Sequence, residues 1–332
     1  MLHFLAELWQ EILGFLGITN ALKILNSGDY SSFLTYDGVL ALINPLLPLL
    51  LVLELLLGLI HKKPQAKVYR TNFLIYIFNR IVGRYLAIGM VAVCIGLFSK
   101  YAPFSLGISF WGLVIGYIIW EFSHFIYHYL GHKVRLFWCL HATHHTPEDM
   151  NLSVSYAHFF LEAPYADTIR TSICILCGVS PTLLFLIMFI DGTYGGFIHV
   201  GENLLKKGKL GFLSKFILTP QHHRIHHARN PLYVDTNFCN LLNIWDRVFK
   251  TYQEEDPSLK IEYGITRQID SSNFGDVYFS EITALAKDVW QAPGLKNKLL
   301  YILMPPGWSH LGEHKTARIM REEYLGLQQE TV

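Results

Sequence analysis

The sequence predicts an all-α fold: an integral-membrane helical bundle of about four spans, or three plus a hairpin, with a cytosolic helical cap. Three observations predict it. Only 16% of the 332 residues are charged while 52% are hydrophobic, which for a chain of this length points to a bilayer as solvent. Three apolar stretches are long enough to cross a hydrocarbon core of about 30 Å. Basic residues gather at one end of those stretches, and so do three short boxes rich in histidine.

The elements follow in chain order within a single domain, 1–332. Residues 1–38 read as an N-terminal interfacial segment. "MLHFLAELWQEILGFLGI" has apolar residues at helical spacing, with Glu7, Gln10 and Glu11 between them, as in a helix lying on a membrane surface. It lacks the basic start and small-residue cleavage site of a secretory leader. Residues 39–200 hold the membrane helices: Val39–Ile60, Ile81–Phe98 and Ile108–Leu130, then a helical hairpin of Phe159–Gly178 and Pro181–Val200. Glu54 sits inside the first span, where facing lipid is costly, and so reads as a buried contact. His61, Lys62, Lys63, Lys67 and Arg70 follow the first span and Lys133 and Arg135 the third. The excess of positive charge there puts those ends in the cytoplasm. Residues 201–332 then form the cytosolic cap and tail.

A net charge of +1 makes no polybasic case for nucleic acid. The five cysteines are scattered and read as reduced packing residues; Cys174-x-x-Cys177 has no second pair to make a zinc or redox motif.

The histidines carry the chemistry. His124, His128 and His132 are spaced i, i+4, i+8 at the end of the third span, so they share one helical face. His141, His144 and His145 form H-x-x-H-H, and His223, His226 and His227 repeat it, with His222 spare. Crowded imidazoles repel once protonated, and a metal ion relieves this by binding the neutral form. Imidazole suits iron, zinc, copper and nickel. The order H-x3-H, H-x2-H-H, H-x2-H-H runs over eight of these histidines, from His128 to His227 without His124 and His222; eight ligands exceed one four-coordinate zinc and suit two ions with positions left open for a reactant. A histidine-only two-metal site at a membrane face points to O2 activation by iron. No side chain attacks an unactivated C–H bond, so the metal must supply the oxidant.

The order of the boxes resembles the fatty acid hydroxylase (sterol desaturase) superfamily of integral-membrane di-iron oxygenases. Within it the chain is most similar to the alkylglycerol monooxygenase branch and its bacterial relatives, through "YHYLGHKVRLFWCLHATHHTPEDMNLS", "FIHVGENL", "TPQHHRIHHARNPLYVDTNF" and "IWDRVFKTY". The resemblance implies metal ligation by His128 and His132, then His141, His144 and His145, then His223, His226 and His227. His199 and His222 match further histidines of the branch. His124 stands where relatives carry an aromatic, and so is an addition. The chain also departs from the branch at Tyr129, Ala157 and Cys239-Asn240. Glu121, Glu148, Asp149, Asp235 and Asp246 are candidates to accept from the far nitrogen of a ligating imidazole.

The resemblance further implies two iron ions, O2, a membrane-lipid substrate and an external reductant: tetrahydrobiopterin from the branch, cytochrome b5 or a ferredoxin from the wider superfamily. No dinucleotide, haem or ferredoxin motif is visible in the chain itself. The expected reaction is hydroxylation of a lipid C–H bond, with cleavage of alkylglycerol ethers as one outcome. The alternatives are a sterol or fatty-acyl (including amino-lipid) hydroxylase or desaturase of the same superfamily, or, in another class, a histidine-rich metal transporter. A transporter calls for ligands at mid-bilayer and repeated halves, whereas these boxes follow helix ends and no repeat shows.

Overall fold

The computed structural model describes residues 2–61 and 65–330. Lys62 and Lys63 of the expected basic flank lie outside the described residues. Contacts divide the chain into two units, 1–64 and 65–332.

In the first unit the amphipathic N-terminal run forms α1 (Leu2–Phe15), with α2 (Thr19–Ser27) behind it. α3 (Tyr36–Ile43) starts at Thr35, whose hydroxyl accepts from the Gly38 amide at 3.1 Å, satisfying one of the free donors at a helix start. It runs on into α4 (Leu46–Ile60), and Asp37–Ile60 is long and apolar enough to cross a membrane. Leu56, Leu59 and Ile60 are exposed while Glu54 is buried, which is the inversion expected of a helix bathed in lipid.

The second unit opens with α5 (Ala66–Val82) and α6 (Arg84–Phe98). The expected span at Ile81–Phe98 is broken near its start. α5 and α6 pass as a span only together, bent by 55°. Gly83 closes α5, its amide donating to the Asn79 carbonyl at 2.8 Å. A Cβ on Gly83 would come within 3.3 Å of the Asn79 carbonyl and 3.4 Å of that of Phe160.

α7 (Phe110–Lys133) is capped by Ser109 and is a candidate span; α8 (Arg135–His145) follows after Val134 turns the chain. The expected hairpin is α9 (Glu162–Leu176) and α10 (Pro181–Ile198). Its turn uses Gly178 at φ +82°, where a Cβ would strike Phe104 at 2.6 Å. Of the two arms only α10 is long and apolar enough to span. The three helices share a core of Tyr117, Trp120, Cys174, Ile175, Leu183, Leu184 and Ile187. Between apolar helices in lipid, close approach of small residues holds the bundle. Gly116 provides it here, since a Cβ there would meet Ile187 and Leu183 at 3.0 and 3.1 Å.

The remaining chain supplies α11 (Pro220–His226), α12 (Ile244–Val248), α13 (Phe274–Gln291), α14 (Gly294–Leu303) and α15 (Ala317–Glu330). Among the described residues there is no strand. The five cysteines are free thiols. The described residues are therefore all-helical, with three helices, or four counting the bent pair, long and apolar enough to cross a membrane.

Candidate metal centre

Nine buried histidines converge in two groups. His128 and His132 from α7, His141 and His145 from α8, and His226 from α11 form the first. His144, His199, His223 and His227 form the second. Within each group one ring nitrogen per residue lies within 4.8 Å of all the others. Helical periodicity does the sorting. The i, i+4 pairs 128/132, 141/145 and 223/227 each share a face, whereas His144 and His145 diverge by about 100°. α8 and α11 therefore each feed both groups. His199, just past the end of α10, completes the second; a lone histidine, it was the weakest of these signals in the sequence.

The far nitrogens set the chemistry of the near ones. His128, His144, His199 and His226 place Nδ1 at 2.7, 3.2, 2.6 and 2.8 Å from the carbonyls of Phe238, Val154, Gly195 and Thr236. A carbonyl only accepts, so each Nδ1 carries the proton and donates. His141 donates to Glu162 at 2.6 Å and His132 to Asp235 at 3.3 Å. Every Nε2 in this set is then a bare lone pair. Yet His128 and His141 bring Nε2 atoms to 3.1 Å, and His199 and His144 to 3.1 Å. The Nε2 atoms of His132 and His226 are buried with no partner. Lone pairs held this close, in a buried site, repel unless a cation lies between them. The residues present fit a metal in each group.

Electrostatics agree. Burial, with neighbouring imidazoles adding to it, holds His144, His145, His223 and His227 well below the usual imidazole range. Burial pulls His199 down to about 3. These rings are neutral at pH 7, the form that ligates metal.

A braced loop aims two of the carbonyls. Asp235 and Asn237 sit at φ 60° and 56°, a left-handed conformation that, after glycine, Asp and Asn tolerate best. They turn the chain so that Thr236 and Phe238 point their oxygens at His226 and His128. Two buried carboxylates hold the rest. Asp246 accepts from the Phe238 and Cys239 amides, both at 2.8 Å, and Glu121 from those of Asn240 and Leu241 at 2.5 and 3.1 Å. These two residues thus act on His128 through the backbone and touch no histidine of either group.

The other candidates separate cleanly. Asp235 touches His132 and pairs with Lys133 at 2.5 Å. Burial raises the Asp235 carboxyl, but those two partners bring it below the usual range. Glu148 and Asp149 are exposed, and Glu148 accepts from the Ser271 hydroxyl at 3.2 Å, apart from both groups. His222 caps α11, its Nδ1 accepting from the Thr219 amide at 3.1 Å, and belongs to neither group. His124 is likewise outside both, with Nδ1 3.6 Å from Asp191 Oδ2. Two acidic residues outside the sequence candidates also sit beside histidines. Asp191 faces His124, and Glu162 bridges His141 and His158, the latter at 2.7 Å. The signal was present, because a carboxylate in an apolar helix needs a partner.

Residues 113–251, which hold all nine histidines, match the fatty acid hydroxylase family. The chain is 33% identical over 196 residues to alkylglycerol monooxygenase of Homo sapiens, the match covering 57% of this chain and 40% of the relative. It is 27% identical over 295 residues to alkylglycerol monooxygenase of Danio rerio, with 86% and 64% covered. It is 24% identical over 157 residues to ornithine lipid hydroxylase OlsE of Rhizobium tropici, with 47% and 46% covered. The matches thus span less than two thirds of each relative's length. No solved structure matches.

Proposed function

We propose that this chain, a member of the fatty acid hydroxylase superfamily, is a membrane oxygenase that hydroxylates a C–H bond of a lipid using O2 and an external reductant, with alkylglycerol ethers the first substrates to test. The observation that carries the reading is the pair of lone-pair clusters, buried at the ends of apolar helices. Protons on the far nitrogens keep the near ones bare for metal.

In this reading His128, His132, His141, His145 and His226 hold one iron, and His144, His199, His223 and His227 hold a second. Bound iron would supply an oxidant able to take hydrogen from an unactivated carbon. The chain does the rest. Asp235, Glu162 and four carbonyls fix the tautomers and ring orientations of the ligands. The carboxylates of Asp246 and Glu121 hold the loop that aims at His128. The apolar helices admit the alkyl tail from the bilayer, and the cap faces the cytoplasm, where the donor arrives. The stoichiometry is R–H + O2 + two electrons + two protons giving R–OH + H2O. At a carbon beside an ether oxygen the alcohol is a hemiacetal, which collapses to an aldehyde and glycerol. The branch resemblance favours tetrahydrobiopterin as donor; cytochrome b5 or a ferredoxin is the alternative.

The test is purified protein in lipid nanodiscs with iron, O2 and tetrahydrobiopterin, offered an alkylglycerol, a fatty-acyl lipid and a sterol. Aldehyde release from the alkylglycerol is the expected result. The match to an ornithine lipid hydroxylase favours a second reading, an acyl or amino-lipid hydroxylase, and oxidation of only the acyl lipid would select it. No oxidation of any lipid by iron-loaded protein, with either kind of donor, would overturn the oxygenase reading.

His124 yields a prediction of its own. Its ring lies one turn from His128 but faces Asp191, outside both groups. His124→Phe is therefore expected to keep both metals and measurable turnover. Loss of a metal equivalent in that variant would make His124 a ligand.

A further inference from the structure

We propose that the rim of the cap, where residues 206–217 meet α12, is a docking surface for anionic phospholipids of the bilayer that the helices cross. This docking rests on the apolar helices lying in a bilayer and is independent of which lipid the chain oxidises.

α7 shows where the cap begins. Its exposed large apolar residues are Phe110, Trp111, Val114, Ile115 and Ile118, and no residue of 119–133 is exposed. Lipid covers the first stretch, and the cap covers the second. The edge between them runs past Ile118, whose carbonyl accepts from the Trp245 indole N–H at 3.3 Å. A tryptophan with its ring at such an edge is what a membrane interface selects.

Two segments of the cap are stapled together beside Trp245. The Leu218 amide donates to the Leu241 carbonyl at 2.8 Å, and the Asn243 amide to the Phe216 carbonyl at 3.1 Å. Arg247 donates to the Lys215 carbonyl at 3.2 Å. Phe212, Leu213 and Phe216 are thereby brought into one region with Ile244, Val248 and Phe249, and all six side chains are exposed. So many large apolar side chains left bare together mark a surface that something covers.

The charges choose what covers it. Lys206, Lys207, Lys209, Lys215 and Lys250 are exposed, whereas the one acid in 206–217 and 241–250, Asp246, is fully buried. An apolar rim edged only by cations lets acyl chains take the rings while anionic headgroups take the ammonium groups. A second copy docking by the same face would set lysine against lysine.

α12 also links this rim to the metal centre. Its Asp246 accepts from the Phe238 and Cys239 amides, both at 2.8 Å, and the Phe238 carbonyl accepts from His128 Nδ1 at 2.7 Å. One side of a five-residue helix thus meets the headgroups while the other braces the acceptor of a histidine in the first group. Anionic lipid at the rim steadies that brace, so turnover should rise with it.

The experiment uses the full chain, one copy per nanodisc, in phosphatidylcholine alone or with added phosphatidylserine. Cys177, the exposed native thiol, is replaced by serine, and Phe212→Cys carries an environment-sensitive fluorophore. Phosphatidylserine is expected to shield the fluorophore from an aqueous quencher and to bring it within reach of a spin-labelled lipid. Each lysine neutralised, Lys207→Gln and then Lys209→Gln, should weaken that preference for phosphatidylserine about 5-fold. Val248→Ser should reduce the shielding in both kinds of disc. Turnover of the iron-loaded protein should rise with phosphatidylserine, and that of the doubly neutralised variant should not, with equal metal content in the two. Shielding that ignores phosphatidylserine, or that survives both neutralisations, would overturn the docking surface. Shielding that appears only in discs loaded with two copies would overturn it too, making the rim a self-association face. Because shielding is read without iron, O2 or substrate, phosphatidylserine-dependent shielding beside a silent lipid assay would sink the oxygenase reading and spare the rim.

Discussion

Replacing His226 with alanine is expected to abolish lipid oxidation and to release a metal equivalent, and His144→Ala is expected to do the same from the other group. His226 Nε2 is buried among four other ring nitrogens and has no hydrogen-bond partner; its far nitrogen is already committed to the Thr236 carbonyl at 2.8 Å. Nothing else in the first group can take its place. His144 stands between His199 and the Val154 carbonyl in the same way, and the second group has only four members, so His199→Ala should match it. The loss should exceed the roughly 10–100-fold in metal affinity or activity that removing an outer hydrogen-bond partner costs. Membrane insertion should survive, because the spans owe it to apolar length. Elemental analysis and turnover in nanodiscs give the answer together. Wild-type turnover in any of the three variants would show that the clusters are not the centre of the reaction.

The parts of this site that were legible in the sequence are those that repeat locally. His128 and His132, His141 and His145, and His223 and His227 announce themselves because an i, i+4 spacing survives any change in how the helices pack. The spacing also separates His144 from His145, but which pair joins which group was not legible, because that depends on how α8 and α11 lie against α7. His199 is a single histidine at a helix end, and only packing against His144 and His223 distinguishes it. The four carbonyl acceptors could not have been read at all, since every residue has a carbonyl and only the loop conformation says which ones point inward. The same holds for Glu121 and Asp246. Both stood out as acids near the boxes, yet their bonds run to backbone amides rather than to imidazoles. Glu148, equally close to a box in sequence, turns to solvent. Among the spans, apolar length identified Asp37–Ile60, Phe110–Lys133 and Pro181–Ile198. It failed at Gly83, where a turn lies inside a stretch that is apolar on both sides. α9 has only 15 residues, and Glu162 at its start serves His141 and His158 instead of the bilayer.

Glu162 gives the sharpest test of how the chain prepares its ligands. The carboxylate is buried and accepts from His141 Nδ1 through one oxygen at 2.6 Å and from His158 Nδ1 through the other at 2.7 Å. Burial alone would raise the Glu162 carboxyl, but the two histidines hold it well below the usual range. In return, although burial pulls His158 down, the Glu162 charge and the Ser155 carbonyl bring it above its ordinary value. His141 must keep its proton on Nδ1, because a proton on Nε2 would close that nitrogen to the five-histidine group. Glu162→Leu removes the acceptor, frees the tautomer and leaves the buried His141 donor unpaired, so metal retention should fall by about 10–100-fold, with turnover following. Glu162→Gln should cost less than about 10-fold, below that range. Its amide oxygen still accepts from His141, while its NH2 donates to His158. That ring can give up its Nδ1 proton and keep Nε2–H on the Ser155 carbonyl, 3.1 Å away. Metal content after dialysis against a graded chelator, measured for wild type and both variants, separates the outcomes. Equal losses in Leu and Gln would mean that the charge, not the tautomer, is what His141 needs. No loss in either would remove Glu162 from the design of the centre.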